Sequence, residues 1–204
     1  MKGTRAFLLL LGTLVVLFAW RPQPALACGH DGVFMGVGYT QLFMYTPEHS
    51  LGAPTSGRVY FSPGYGANAT VGYDFCGSRW GIQMPFEFVR LKLNHAEWVN
   101  QFGSSVEAIL HLVESDSGWD FHLLGGVGWS RISEGAINDR SNAYGITASL
   151  GPGVSYFFAR GERVSAALAL EVPFRMIYYF GDRLSANGTT IIAFPIRVSI
   201  QVGF

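Results

Sequence analysis

Hydrophobic and polar residues alternate along most of this chain, and the last eleven residues show the pattern most clearly. Every second position there is apolar: Phe194, Ile196, Val198, Ile200, Val202 and Phe204. The positions between them hold Pro195, Arg197, Ser199, Gln201 and Gly203. Because successive side chains of a β-strand point to opposite faces, a period of two predicts a strand with one apolar and one polar face.

The same alternation recurs in seven earlier segments, so the sequence predicts eight strands in all. Their approximate ranges are 32–45, 58–75, 79–93, 102–114, 119–131, 143–157, 164–179 and 194–204. Most of them reach the ten or so residues that a tilted strand needs to cross a bilayer. The pattern therefore predicts an all-β protein, an eight-stranded antiparallel up-and-down transmembrane β-barrel.

The links between the predicted strands support this topology. Those after the even-numbered strands are short, at residues 76–78, 115–118 and 159–163. Those after the odd-numbered strands are longer on average, at residues 46–57, 94–101, 132–142 and 181–188. Outer-membrane barrels have short periplasmic turns and longer outside loops, so both termini are expected on the periplasmic side.

Three prolines fall inside predicted strands, namely Pro85, Pro173 and Pro195. A closed barrel has no edge on which the missing N–H is harmless. We therefore expect a β-bulge at each of the three positions.

The amino terminus has the pattern of a secretory signal peptide. Lys2 and Arg5 precede an apolar run over residues 6–20, and Ala25-Leu26-Ala27 resembles a cleavage site. The run is too short for a typical spanning helix. We predict a signal peptide over residues 1–27 and one barrel domain over residues 28–204, which carries 11 basic and 14 acidic side chains, a net charge of about −3.

Composition helps to decide which face of the barrel points inward. A soluble lipocalin-type barrel also has eight strands, but its apolar face lies inside. Only 14% of this chain is charged, against about a quarter in typical soluble domains, and 26 residues are glycine. These features favour the membrane barrel over the soluble ligand-binding alternative, and no basic patch indicates nucleic-acid binding.

The alternating segments, the short and long links and the terminal Ile-Arg-Val-Ser-Ile-Gln-Val-Gly-Phe resemble the small OmpA/OmpX-type barrels, the outer membrane protein β-barrel domain. The resemblance covers nearly all of residues 28–204 and implies the outer membrane of a Gram-negative bacterium. It also implies that the final strand is the signal read by the barrel assembly machinery, with Phe204 in the terminal position and Phe194, Ile196, Val198, Ile200 and Val202 before it. Unlike OmpA, the sequence ends at the last strand, so no peptidoglycan-binding domain is expected.

Eight ionisable side chains are expected to point into the lumen: Glu87, Glu107, His111, Asp120, His122, Glu171, Arg175 and Arg197. The interior of an eight-stranded barrel is only wide enough for side chains to fill it. Buried charges must then be paired, so the sequence predicts a salt-bridge plug with Glu171 and Arg175 in one network and Arg197 as a partner of Glu171. A gated narrow conduit is the alternative.

The two cysteines, Cys28 and Cys76, are both expected on the periplasmic side of neighbouring strands. A disulfide between them is therefore a prediction in an oxidising compartment. The alternative for Cys28 is lipidation, because Ala25-Leu26-Ala27-Cys28 resembles a loose lipobox.

No catalytic, cofactor or metal site is predicted. Barrels that modify lipid A resemble this class and use a histidine near the outer surface, whereas Asp120, His122 and His111 are expected near the periplasmic end. His30 and Asp31 have no further metal ligand at a familiar spacing. Aromatic residues near strand ends, including Trp80, Trp119, Trp129, Tyr144, Tyr178 and Tyr179, are expected to form interface belts.

The sequence thus predicts a monomeric outer-membrane barrel with a structural or surface-interaction role, in contact with membrane lipid and lipopolysaccharide. Two other functions stay open. One is a narrow, porin-like pore or transporter for small solutes, and the other is a lipid A-modifying enzyme.

Overall fold

The alternating segments form nine β-strands. A computed structural model describes residues 32–45, 61–75, 77–93, 97–114, 117–134, 143–161, 164–180 and 189–204. The strands are β1 (Gly32–Tyr45), β2 (Gly64–Asp74), β3 (Trp80–Leu93), β4 (Glu97–Glu114), β5 (Trp119–Glu134), β6 (Ala143–Arg160), β7 (Ser165–Glu171), β8 (Phe174–Phe180) and β9 (Thr189–Gly203). The predicted signal peptide and both cysteines lie outside the described residues.

All nine strands belong to one antiparallel sheet that closes on itself. Each strand from β1 to β6 pairs with the next, and β9 pairs with β1 to complete the ring. Both β7 and β8 lie between β6 and β9, so they are two halves of one spanning strand. The prediction of an eight-stranded up-and-down barrel is confirmed. No helix among the described residues is long and apolar enough to span a membrane.

The two ends of the barrel differ in their links. At the turn end, β2 joins β3, β4 joins β5, and β6 joins β7 through a few residues each. The start of β1 lies at this end too, since Gly32 pairs with Asp74 at the end of β2, and the end of β9 lies beside it, since Phe34 pairs with Gly203. The other end, the loop end, holds the remaining links, which are longer except for the three residues between β3 and β4.

Several predicted strand boundaries are wrong. β4 begins at Glu97, so the predicted link over residues 94–101 is much shorter, and β9 begins at Thr189 rather than at residue 194. The reason is that alternation continues into these stretches: Val99 and Gln101 face inward while Trp98 faces outward. β2, in contrast, begins only at Gly64, six residues later than predicted.

The expected bulges at the three prolines are also wrong. Pairing runs past Pro85 and Pro195 without a change of register, although the β3–β4 ladder omits Pro85. β7 and β8 keep one register on β9, in which Pro173 and Pro195 fall opposite each other. Because neither proline has an N–H, this pair forms no hydrogen bond through its amides, and the seventh spanning strand is interrupted there.

The observed bulges lie near the turn end instead. One follows His111 in β4, and the other follows Phe157 in β6. The first changes which positions of β4 face outward: Ile109, before the bulge, faces inward, whereas Val113, after it, lies on the outer face. A bulge inserts one residue and so restores an apolar outer face beyond it.

The structure decides which face is inside. The outer wall is apolar and aromatic, with 38 large hydrophobic residues exposed among those described. The inner wall carries the buried polar and charged side chains, Arg197 among them at 1% exposure. A lipocalin-type barrel has the opposite arrangement, so that alternative is wrong.

Neighbouring glycines of β5 differ in how closely another strand approaches them. A Cβ added at Gly126 would lie 2.1 Å from the Val106 carbonyl oxygen and 2.7 Å from the Cα of Glu107. At Gly125 the nearest atom is a Leu150 methyl group, at 3.4 Å. Only the inward-facing glycine is therefore required by close strand approach.

We expect Gly126→Ala to lower the free energy of unfolding by about 1–3 kcal/mol, because the added methyl group must displace backbone. Gly125→Ala is the matched control and should change it by less than about 0.5 kcal/mol. Urea unfolding of the refolded protein in lipid vesicles, followed by tryptophan fluorescence, measures both. Equal effects of the two substitutions would contradict the close approach at Gly126.

Candidate functional site: the filled lumen

Three main layers of side chains fill the described lumen, beside a smaller apolar cluster of Phe34, Ile109 and Leu124. A charged layer occupies the middle, a histidine and aspartate cluster lies toward the turn end, and an apolar layer closes the loop end. Every layer is built from inward-facing positions of several strands, because alternate residues of each strand line the inside of a closed sheet.

Arg197 is the centre of the charged layer. Its guanidinium group donates a 2.8 Å hydrogen bond to Glu107 Oε2, and its Nε lies 2.9 Å from Glu171 Oε2 in an ion-pair contact. A third carboxylate, that of Glu87, lies 3.5 Å from Nη1. Glu171 is the direct cross-strand partner of Arg197, while Glu87 and Glu107 reach it from across the lumen. One arginine of β9 therefore joins the neighbouring strand β7 to strands β3 and β4 across the lumen.

Arg175 makes the second link across the lumen. Its two terminal nitrogens donate hydrogen bonds of 2.6 Å and 3.1 Å to the two carboxylate oxygens of Glu87. Such a bidentate pair is both strong and geometrically specific. Arg175 thus joins the network that contains Glu171 by way of Glu87 and Arg197.

Neutral side chains complete the hydrogen bonding of the carboxylates. Gln83 donates from one amide nitrogen to Glu107 at 3.0 Å and to Glu171 at 3.2 Å. Ser105 and Ser149 donate to the other oxygen of Glu107, at 2.9 Å and 3.3 Å. Buried carboxylates need such additional donors, because ion pairing alone seldom repays their desolvation.

The cluster at the turn end consists of His111, Asp120, His122 and Asp74. Asp120 and His122 are two residues apart in β5 and so share its inner face, and His111 pairs directly with His122 from β4. One oxygen of Asp120 lies 3.0 Å from His111 Nδ1 and 3.1 Å from His122 Nδ1. His111, Asp120 and His122 each offer a ligand atom, and these atoms lie within 4.8 Å of one another.

Glycines make room for this cluster. A Cβ at Gly153 would lie 2.1 Å from His122 Nε2, and one at Gly81 would lie 2.2 Å from the Asp74 carboxylate. Each glycine is the cross-strand partner of the side chain it accommodates. The side chains can therefore lie across the inner wall instead of pointing straight to the barrel axis.

An apolar layer fills the lumen at the loop end. Phe61, just before β2, packs against this layer. The buried members come from seven strands and are Leu42, Met44, Val89, Leu91, Val99, Ile132, Ala143, Ile177, Tyr179, Ile191 and Ala193. Tyr179 was expected in an outer aromatic belt, but it is fully buried here and its hydroxyl lies 2.6 Å from Ser130 Oγ. Described side chains from most of the ring thus meet in this layer.

The outer wall carries aromatic side chains toward both ends. At the turn end, Trp119 and Tyr156 pack with ring centroids 4.8 Å apart. Toward the loop end, Phe102 packs on Trp129 at 5.4 Å. Aromatic girdles above and below an apolar band are typical of membrane barrels.

The structure places all eight sequence-predicted lumen residues on the inner wall, but in two groups. Glu87, Glu107, Glu171, Arg175 and Arg197 form the central network. His111, Asp120 and His122 form the turn-end cluster, where His122 Nε2 lies 3.9 Å from Glu171 and connects the groups.

Sequence reasoning missed two members of these groups, Asp74 and Gln83. Asp74 Oδ1 lies 3.2 Å from His111 Nε2, and Gln83 bridges the carboxylates of Glu107 and Glu171. Both occupy inner positions of the predicted alternation, so the pattern did indicate that their side chains face the lumen. Their partners depend on strand register, which the alternation does not specify.

No family model and no curated protein matches the chain. Solved structures do resemble it. The neisserial surface protein A has a TM-score of 0.57 and 14% identity, over 87% of this chain and 99% of that one. The outer membrane protein OprG of Pseudomonas aeruginosa has a TM-score of 0.51 and 12% identity, over 86% and 97%. The chain has the fold of the small OmpA/OmpX-type outer-membrane β-barrels.

We expect Arg197→Met to lower the free energy of unfolding by about 3–5 kcal/mol, because it leaves three buried carboxylates short of a partner. Arg90→Met is the matched control, since Arg90 is exposed on the outer wall, and should cost less than about 1 kcal/mol. Urea unfolding in lipid vesicles measures both. Equal losses for the two variants would contradict the central role of Arg197.

Proposed function

We propose that this chain is an integral protein of the bacterial outer membrane, with a structural or surface-interaction role and a lumen closed by its own side chains. The observation that carries the proposal is the inside-out distribution of residues. The described outer wall is apolar with aromatic ends, and the described charges of the strand interiors are buried and paired within the lumen. Hydrocarbon suits such an outer wall better than water does.

A closed lumen is supported by the two layers above the turn-end cluster. The central network spans the interior through Arg175 and Arg197, and the apolar layer covers it at the loop end. A solute would have to break buried ion pairs and then cross packed hydrocarbon side chains. This arrangement favours a structural role over the pore or transporter.

Membrane lipid and lipopolysaccharide are the partners that the outer wall fits. Near the loop end, the Arg90 guanidinium lies 4.9 Å and the Lys92 ammonium 4.8 Å from the Trp98 ring centroid. Arg131 lies over Tyr144 on a neighbouring part of the wall, at 5.5 Å. Cations held on aromatic rings at this level suit the phosphate groups of a lipid headgroup.

The final strand supports the proposed recognition by the barrel assembly machinery. Its apolar residues from Phe194 to Phe204 all lie on the outer side of β9 or directly after it, and Phe204 is 63% exposed. Such a continuous apolar face is available to a partner before β9 pairs with β1. We propose that the chain functions as a monomer, because the sheet closes within one chain.

Single-channel recording in planar bilayers tests the closed lumen. We expect the refolded wild type to show no discrete openings, and Glu171→Gln to be equally silent, because the apolar layer remains in place. A sample counts as refolded when its gel mobility shifts on boiling. Discrete openings in the wild type that change in Glu171→Gln would overturn the proposal and favour the pore.

A further inference from the structure

The cluster at the turn end has the geometry of a metal site as well as that of a hydrogen-bonded group. Two imidazole nitrogens, His111 Nδ1 and His122 Nδ1, approach the same oxygen of Asp120, at 3.0 Å and 3.1 Å. In a tetrahedral zinc site with bonds of about 2.0 Å, neighbouring donor atoms are about 3.3 Å apart. Two of the three donor–donor distances are therefore close to those around one ion, and all three ligand atoms lie within 4.8 Å of one another.

The far sides of both imidazole rings face carboxylates. His111 Nε2 lies 3.2 Å from Asp74 Oδ1, and His122 Nε2 lies 3.9 Å from Glu171 Oε1. Histidines that bind a metal through one nitrogen commonly direct the other N–H to a carboxylate, which orients the ring. Here both rings present Nδ1 to a common point and Nε2 to an acidic partner.

The charges of the lumen provide an independent reason for a cation. Among the described residues, five buried carboxylates, those of Asp74, Glu87, Glu107, Asp120 and Glu171, stand against two buried guanidinium groups, those of Arg175 and Arg197. With neutral histidines, these residues leave three negative charges uncompensated. Protonation of both imidazoles would compensate two of these three negative charges. One divalent ion between the imidazoles would do the same.

We infer that His111 Nδ1, His122 Nδ1 and Asp120 bind one divalent transition-metal ion, with Zn²⁺ the best match for two imidazoles and a carboxylate. Asp74 orients His111 from the far side and is a positioning residue. The bulge directly after His111 and the glycine opposite His122 set the two rings. His111 keeps 15% of its side chain exposed, so the cluster is not fully sealed from solvent.

A sequence motif of metal ligands at fixed spacing does not reveal this site, because its ligands come from two strands. His111 and His122 are eleven residues apart and meet only through cross-strand pairing across the β4–β5 turn. This inference goes beyond the proposed function, and the barrel can be closed and structural whether or not it binds an ion.

Cobalt binding to the untagged, refolded full chain tests the inference, because Co²⁺ reports its ligands through visible absorption. We expect one Co²⁺ per chain at micromolar concentration, with absorption bands of a site with nitrogen and oxygen ligands, and displacement by Zn²⁺. Asp120→Asn and His122→Ala should each weaken binding by about 100-fold or more, and Asp74→Asn by about 10–100-fold with the bands retained.

The matched control replaces the other three histidines, His30, His49 and His95, with glutamine. This variant should bind Co²⁺ as the wild type does. The inference is overturned if the wild type binds no ion, if the control loses the ion, or if Asp120→Asn and His122→Ala both keep it. Should those two variants fail to refold, X-ray absorption of the zinc-loaded wild type decides: two imidazole nitrogens support the site, and none overturns it.

Discussion

The pairing of charges within a narrow lumen is the constraint on which the rest of this structure depends. An eight-stranded sheet closes around a space that side chains can just fill, and water has little room to solvate an ion there. Arg197 meets the constraint by contacting Glu107, Glu171 and Glu87 at once. The outer wall can then be apolar throughout its middle, because the charged side chains of the sheet are satisfied inside.

This division explains the layers of the interior. The charged layer lies midway, where cross-strand neighbours such as Glu171 and Arg197 can meet partners from the opposite wall. Apolar side chains close the loop end, and the His111, Asp120 and His122 cluster lies toward the turns. The barrel is thus a packed core surrounded by its own sheet, in which the polar groups and not the apolar ones occupy the centre.

Alternation was sufficient to predict the strands and the residues that share a face, because a period of two is a property of each strand alone, and the low charge content then favoured the polar face as the inner one. Alternation identified Arg197 and Glu171 as neighbours and placed all eight lumen charges on one face. It could not predict that Arg175 binds Glu87 across the lumen, because that contact depends on the curvature and register of the closed sheet. Two of the prolines misled for a related reason: Pro173 and Pro195 oppose each other, so the two missing N–H groups fall in one pair and no bulge is needed there.

The inside-out arrangement is the central claim, and tryptophan quenching by lipids tests it most directly. Trp80, Trp98, Trp119 and Trp129 are all on the outer wall, each between 41% and 48% exposed, while Trp20 lies in the predicted signal peptide. Fluorescence of the mature protein refolded in vesicles of lipids with brominated acyl chains should be strongly quenched relative to unbrominated vesicles. Equal fluorescence in the two kinds of vesicle would contradict the account.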